Sequence, residues 1–337
     1  MRENFTIRKG DDFHCHLRRG YILKSVVGFT ARAFKRAVIM PNTSPPILTC
    51  AQAAEYRKEI LSATDGTGFE PLMTIQINDQ TSPKIITEAK EAGVTAGKVY
   101  PQGVTTNSQN GVTDFKKIYP ALQEMQNQDM PLLLHGESPE PGVFCLDGEK
   151  EFLPTLLRLA EKFSELKIVL EHITTAKAAE AVLTLDNVAA TITVHHLLLT
   201  LDDVVGGLIC PHNFCKPIAK YPGDREALLA AAVSGNPKFF YGGDSAPHFK
   251  KNKECGHGCA GVFNAPVALP LLAQIFEQEG KIRQLTDFVS KFGADFYGLP
   301  RNKETVKLVK SDWTVPEEYN GIVPFMAGET LRWQIAD

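Results

Sequence analysis

The sequence predicts an α/β protein, a (β/α)8 barrel of the TIM type with a metal site at the C-terminal ends of its strands. Three observations carry this. Eight short apolar runs alternate with longer amphipathic segments over nearly the whole chain. Most of the runs are continuously apolar rather than alternating, as parallel strands buried on both faces are. Several end in histidine, lysine or aspartate, and a barrel gathers its strand tips into one mouth. At 337 residues, with no linker, repeat or low-complexity tract, residues 1–337 are expected to form a single domain. The competitor is an open doubly wound sheet. No Gly-x-Gly-x-x-Gly turn follows the first strand, so its dinucleotide-binding form loses support.

The first strand is expected over 13–17, inside Asp12-Phe13-His14-Cys15-His16-Leu17-Arg18. Residues i and i+2 of a strand share a face, so His14 and His16 can grip one ion. Neutral imidazole is the commonest protein ligand for zinc-like metals. The second strand, 37–40, runs into Met40-Pro41-Asn42. A helix over 51–61 leads to a strand over 72–77. A turn at 78–82 and a helix over 83–92 lead to the strand 97–100, which holds Lys98. A helix over 115–126 precedes the strand 132–135, ending at His135. The loop 142–150 and a helix over 152–163 precede the strand 168–172, ending at His172. Helices over 175–185 and 224–234 flank the strand 190–194, and the last strand, 239–242, runs into Asp244. The Gly- and Lys-rich stretch 246–265 then lies over the C-terminal face, where barrel active sites are built. The tail, 301–337, is expected to pack as irregular structure against the barrel.

Each tip residue alone has a plain structural reading. His135 and His172 read as satisfied core histidines, Asp244 as the cap of a turn, Lys98 as a side chain reaching the surface. Those readings must hold independently, whereas one binuclear metal site accounts for all the positions together.

A net charge of −3 argues against a nucleic-acid partner, which calls for a basic excess or stripe. No apolar run reaches the roughly 18 residues of a membrane span. Met1–Phe5 carries no apolar signal-peptide core, so a cytoplasmic location is expected. Seven scattered cysteines do not form a disulfide framework. Cys255-Gly256-His257-Gly258-Cys259 is dense enough for a small metal site, but no second Cys/His pair of suitable spacing follows, and a Gly-rich loop with reduced thiols is favoured. The oligomeric state stays open, with a homodimer as one option.

The first-strand motif resembles the signature of the amidohydrolase superfamily. Its continuation resembles the dihydroorotase family in its shorter, stand-alone bacterial form. The matching blocks are Met40-Pro41-Asn42, Ala96-Gly97-Lys98-Val99-Tyr100-Pro101, Leu134-His135-Gly136-Glu137 and Glu171-His172-Ile173-Thr174-Thr175. They continue in Gly243-Asp244-Ser245-Ala246-Pro247-His248, Gly261-Val262-Phe263-Asn264-Ala265-Pro266 and Val323-Pro324-Phe325-Met326-Ala327-Gly328-Glu329, so the resemblance spans essentially the whole chain. It implies two zinc ions per subunit. His14, His16 and Asp244 would hold one, His135 and His172 the other, and Lys98, as N6-carboxylysine, would bridge them. It implies Asp244 as the catalytic acid and base, and Arg18, Asn42 and His248 as substrate contacts, with backbone contacts at Lys216 and Ala260. Thr105 and Thr106 match the tip of a loop that closes over substrate. The implied reaction is the reversible cyclisation of N-carbamoyl-L-aspartate, a small-molecule substrate, to L-dihydroorotate in pyrimidine biosynthesis. Arg19 departs from the pattern, standing where relatives often carry an acidic residue. A hydantoinase-type hydrolase is the rival enzyme, and a non-catalytic barrel that has lost its ligands is the rival of another class.

Overall fold

A computed structural model describes residues 4–336. Eight strands form one parallel sheet in sequence order. They are β2 (Gly10–Cys15), β3 (Phe34–Ile39), β4 (Glu70–Ile77), β5 (Ala96–Val99), β6 (Leu132–His135), β7 (Ile168–Glu171), β8 (Val188–Ile192) and β9 (Phe239–Tyr241). The sheet closes at its rim, where Asp244 N–H donates to His14 O at 2.7 Å and His16 N–H to Ser245 O at 3.0 Å. The expected helices are all present within a few residues. The 115–126 segment divides into a 3-10 turn, Phe115–Ile118, and a helix, Tyr119–Asn127.

Each strand sends one apolar side chain to the barrel axis: Phe13, Val38, Leu72, Ala96, Leu133, Val169, Ala189 and Phe240. Phe292, Ala294 and Tyr297 join the same cluster. Two residues further along their strands come Lys98, His135, Glu171 and Thr191, all buried. The period of two in a strand thus stacks a polar layer directly above the apolar plug.

Near the opposite rim, Arg36 and Asp11 face each other across β2 and β3. Nε–Oδ1 is 2.8 Å and Nη2–Oδ2 is 2.7 Å, with both residues nearly inaccessible. Removing one partner of such a pair strands a buried charge. Arg36→Leu is therefore expected to lower the unfolding free energy by about 3–5 kcal/mol, read from urea denaturation. A loss under about 1 kcal/mol, the level of a surface pair, would refute this.

The tail departs from expectation. Thr305–Thr314 (β10) pairs antiparallel with both Asn4–Arg8 (β1) and Thr330–Ile335 (β11). The physical cause is alternation: Val306 and Leu308 on β10, Ile7 on β1, and Leu331 and Trp333 on β11 all turn inward and join the main core. The Trp333 indole N–H donates to Glu277 on the helix Ala268–Gln278, fastening the small sheet to the barrel. No helix among the described residues is long and apolar enough to cross a membrane.

Candidate active site

His14 lies inside β2, but strict alternation would turn it away from the axis that Phe13 faces. The register resolves this. Asp12 pairs with Ala37 and Cys15 with Ile39, so β2 spends one extra residue where β3 spends none. Such a bulge re-aims a side chain; Phe13 and His14 both face inward while Cys15 packs in the outer core. Asp12 fixes the distortion by accepting from His14 N–H at 3.0 Å and from Gly243 N–H at 2.7 Å. Burial raises its carboxyl to about 7.

His14, His16 and Asp244 meet at the mouth. The two Nε2 atoms stand 3.2 Å apart, and Asp244 Oδ1 is 3.0 Å from His16 Nε2 and 3.4 Å from His14 Nε2. Asp244 gets there through Gly242 and Gly243. A Cβ at Gly242 would come within 2.7 Å of Thr191, and one at Gly243 within 2.5 Å of the Tyr241 hydroxyl. Arg18, His172 and Asp244 all have left-handed backbones, with φ of 58°, 43° and 44°. Conformations of that kind cost about 1–3 kcal/mol each and gather where function requires them.

On the other side of the mouth the His135 and His172 rings lie 4.8 Å apart, and His172 is also 4.8 Å from His14. Burial lowers the pKa of all four histidines, so the neutral, metal-binding form is favoured. Carboxylates that the sequence reading passed over orient two of them. Glu171 Oε2 accepts from His14 Nδ1 at 2.9 Å, and Glu137 Oε2 lies 2.8 Å from His135 Nε2. A carboxylate on the far nitrogen fixes the tautomer and turns the other nitrogen into the site. Both acids sit within two residues of a proposed ligand, and that spacing was the available signal.

Lys98 Nζ is fully buried beneath the mouth with no hydrogen-bond partner, 5.2 Å from the centre of the Tyr100 ring. Desolvation lowers its pKa to about 8. His16 Nδ1 and His172 Nδ1 are likewise buried without partners. Unsatisfied buried nitrogens beside converging imidazoles and a carboxylate fit a metal centre; His14, His16 and Asp244 can hold an ion.

The substrate side is equally compact. A small cleft is lined by His14, His16, His135, His172 and Asp244 together with Arg18, Asn42, Thr105, Thr106, Lys216 and Ala260. Arg18 donates to His248 Nε2 at 3.0 Å and to Pro247 O at 3.3 Å. Burial depresses His248 to about 3, leaving it a neutral acceptor. Asn42 Nδ2 donates to Thr106 O at 3.2 Å, and Asn107 returns a bond to Asn42 O at 2.9 Å, so the loop tip is latched over the cleft. Arg19 turns away, pairing with Glu55 and Glu59 at 2.9 and 2.8 Å, so its departure from the pattern leaves the mouth untouched.

A second cluster escaped the sequence reading. One ring nitrogen each of His195 and His196 and Sγ of Cys215 lie within 4.8 Å of one another. His196 already spends its nitrogens on Thr193 Oγ1 and Pro217 O, and the Cys215 thiol donates to Pro217 O. The cluster braces the segment that carries Lys216. Cys255, His257 and Cys259 form no metal-holding group among the described residues, and all seven cysteines are free.

No family model matches the chain. It is 48% identical over 342 residues to the dihydroorotase of Teredinibacter turnerae, covering 99% of each chain. Its fold superposes on the crystal structure of dihydroorotase from Campylobacter jejuni with a TM-score of 0.93 and 40% identity, over 100% of this chain and 98% of that one. The dihydroorotase of Saccharomyces cerevisiae, solved in complex with 5-fluoroorotic acid, also gives 0.93, with 37% identity over 99% and 98% of the two chains. Identity at this level along the whole length, on a barrel whose mouth gathers these histidines, Asp244 and Arg18, places the chain in the dihydroorotase family.

Proposed function

We propose that this chain interconverts N-carbamoyl-L-aspartate and L-dihydroorotate, the ring-closing step of pyrimidine biosynthesis, in the cytoplasm and as a single-domain barrel. The observation that carries this is the meeting, in one cleft, of a metal-ligand cluster with an arginine suited to a carboxylate. His14, His16 and Asp244 would hold one zinc ion, His135 and His172 a second, and Lys98 would join both as its carbamate. A neutral amine adds to CO2 and releases a proton to give R–NH–COO⁻; burial of Lys98 without a partner favours that amine. When bound, such ions supply Lewis acidity toward the ring amide and toward water.

The chain's own groups do the rest. Arg18 presents a planar cation to the α-carboxylate that substrate and product share, and His248 holds it in place. Asn42 adds an amide donor, and the backbone at Lys216 and Ala260 adds further contacts. The latched tip, Thr105 and Thr106, excludes water. In the hydrolytic direction an Asp244 carboxylate oxygen takes a proton from the attacking water and delivers it to the departing ring nitrogen. In the biosynthetic direction it accepts the ureido proton as that nitrogen attacks the side-chain carboxyl, then returns the proton to the departing carboxyl oxygen, which leaves as water. Microscopic reversibility requires one group to serve both ways.

Arg18→Ala is expected to raise KM for L-dihydroorotate by about 10–100-fold, the range for losing a charge-assisted pair, with metal content unchanged. Equal loss of substrate affinity and metal would show that Arg18 supports the centre instead. Relative turnover of dihydroorotate and an uncharged hydantoin tests the reading as a whole; a preference for the hydantoin would overturn it.

A further inference from the structure

The stretch 246–265 is rich in glycine and lysine, and its lysines read as solvated. Lys250 and Lys251 are exposed, but Lys253 is 4% exposed. Its ammonium donates to three backbone carbonyls: Phe214 at 3.2 Å, Cys259 at 3.1 Å, and Gly261 through a short bond. Three donors meet three acceptors, so the charge is fully satisfied. The acceptors also have a pattern. Cys259 and Gly261 flank Ala260, and Phe214 stands two residues before Lys216. Gly261 N–H donates to Phe214 O at 2.9 Å, tying the two segments together at the same point. Ala260 and Lys216 line the cleft together with Arg18, which donates to His248 Nε2.

We propose that Lys253 is a positioning residue: its ammonium fixes the backbone at 214–216 and 259–261 so that the groups around Ala260 and Lys216 meet the substrate. This rests on the reading that those backbone groups contact substrate. Among the described residues no other cation hydrogen-bonds to these carbonyls, and Gly258 and Gly261, on either side of Cys259 and Ala260, let the strap run close. A Cβ at Gly258 would come within 2.5 Å of Lys253 O, and one at Gly261 within 2.5 Å of Ala246 O.

The test is Lys253→Met in the full-length, metal-loaded enzyme, which keeps the apolar stem and removes the ammonium. KM for L-dihydroorotate is expected to rise about tenfold or more, equivalent to about 1.4 kcal/mol, with kcat within about threefold and metal content unchanged. Amide exchange at 259–261 is expected to accelerate. Lys253→Arg, which retains the charge, is expected to recover part of the loss and serves as the second variant if the methionine protein does not fold. Unchanged KM with unchanged exchange would overturn the positioning role. Faster exchange with unchanged KM would show a loosened strap that the substrate does not feel, and would sink the backbone-contact reading with it. Loss of kcat and metal together would mark Lys253 as a general support and refute a role in substrate placement.

Discussion

Asp244→Asn is expected to lower turnover by about 10²–10⁴-fold, the range for losing a general acid–base group, while the thermal unfolding midpoint stays near that of the parent. Asparagine has the same shape. The bond from the residue 244 N–H to His14 O, which closes the barrel rim, does not involve the side chain and should survive. The Gly242–Gly243 approach and the left-handed backbone at 244 are also unaffected, and asparagine tolerates that conformation. What changes is the chemistry of the side-chain oxygen facing His16. A carboxylate accepts a proton and returns it, whereas an amide does neither at neutral pH. Because Asp244 is also a proposed ligand, metal content is measured on the same samples. Turnover within tenfold of the parent would rule out the proton-carrying role. Loss that tracks metal content alone would reduce Asp244 to a ligand.

Much of this site was legible in the sequence, for a definable reason. Parallel strands buried on both faces read as continuous apolar runs, so their ends could be placed within a few residues, and chemistry clusters at those ends. Lys98, His135 and His172 were placed at the barrel mouth this way. The His14–His16 pair was also found, although the geometry behind it was not. A period of two accounts for His14 and His16 sharing a face, but not for Phe13 and His14 both facing the axis. That depends on the bulge between Asp12 and Cys15, a feature of pairing with β3 that no single segment encodes. Glu137 and Glu171 were in view yet unread, because their role appears only when each ring nitrogen is asked for a partner. Lys253 was hidden by its company, since a lysine among lysines and glycines reads as solvated. The tail was missed for the opposite reason. Val306 and Leu308 alternate with exposed residues as a half-buried strand should, but their partner β1 lies some 300 residues away in sequence. Lys310 and Asp312 also interrupt the pattern.

Lys98→Ala is expected to weaken metal affinity by more than about 100-fold, beyond the 10–100-fold typical of losing an outer partner of a ligand, and to reduce turnover in parallel. An unpaired ammonium buried at this depth is penalised by several kcal/mol, and Lys98 Nζ has no acceptor to offset it. Tyr100 offers a ring face at 5.2 Å but leaves its own hydroxyl unsatisfied. A lysine kept only for packing would be replaced by alanine at the expense of stability, with no particular effect on metal. A lysine that becomes a carbamate changes sign, from a cation that repels metal to an anion with two oxygens. Two outcomes therefore separate the readings. Under the carbamate reading the alanine protein loses metal, and acetate or propionate, small enough to enter the vacated space, partly restores both metal content and activity. Under the packing reading metal content holds and carboxylates do nothing, and that result would remove Lys98 from the centre and leave the two histidine pairs without a bridge.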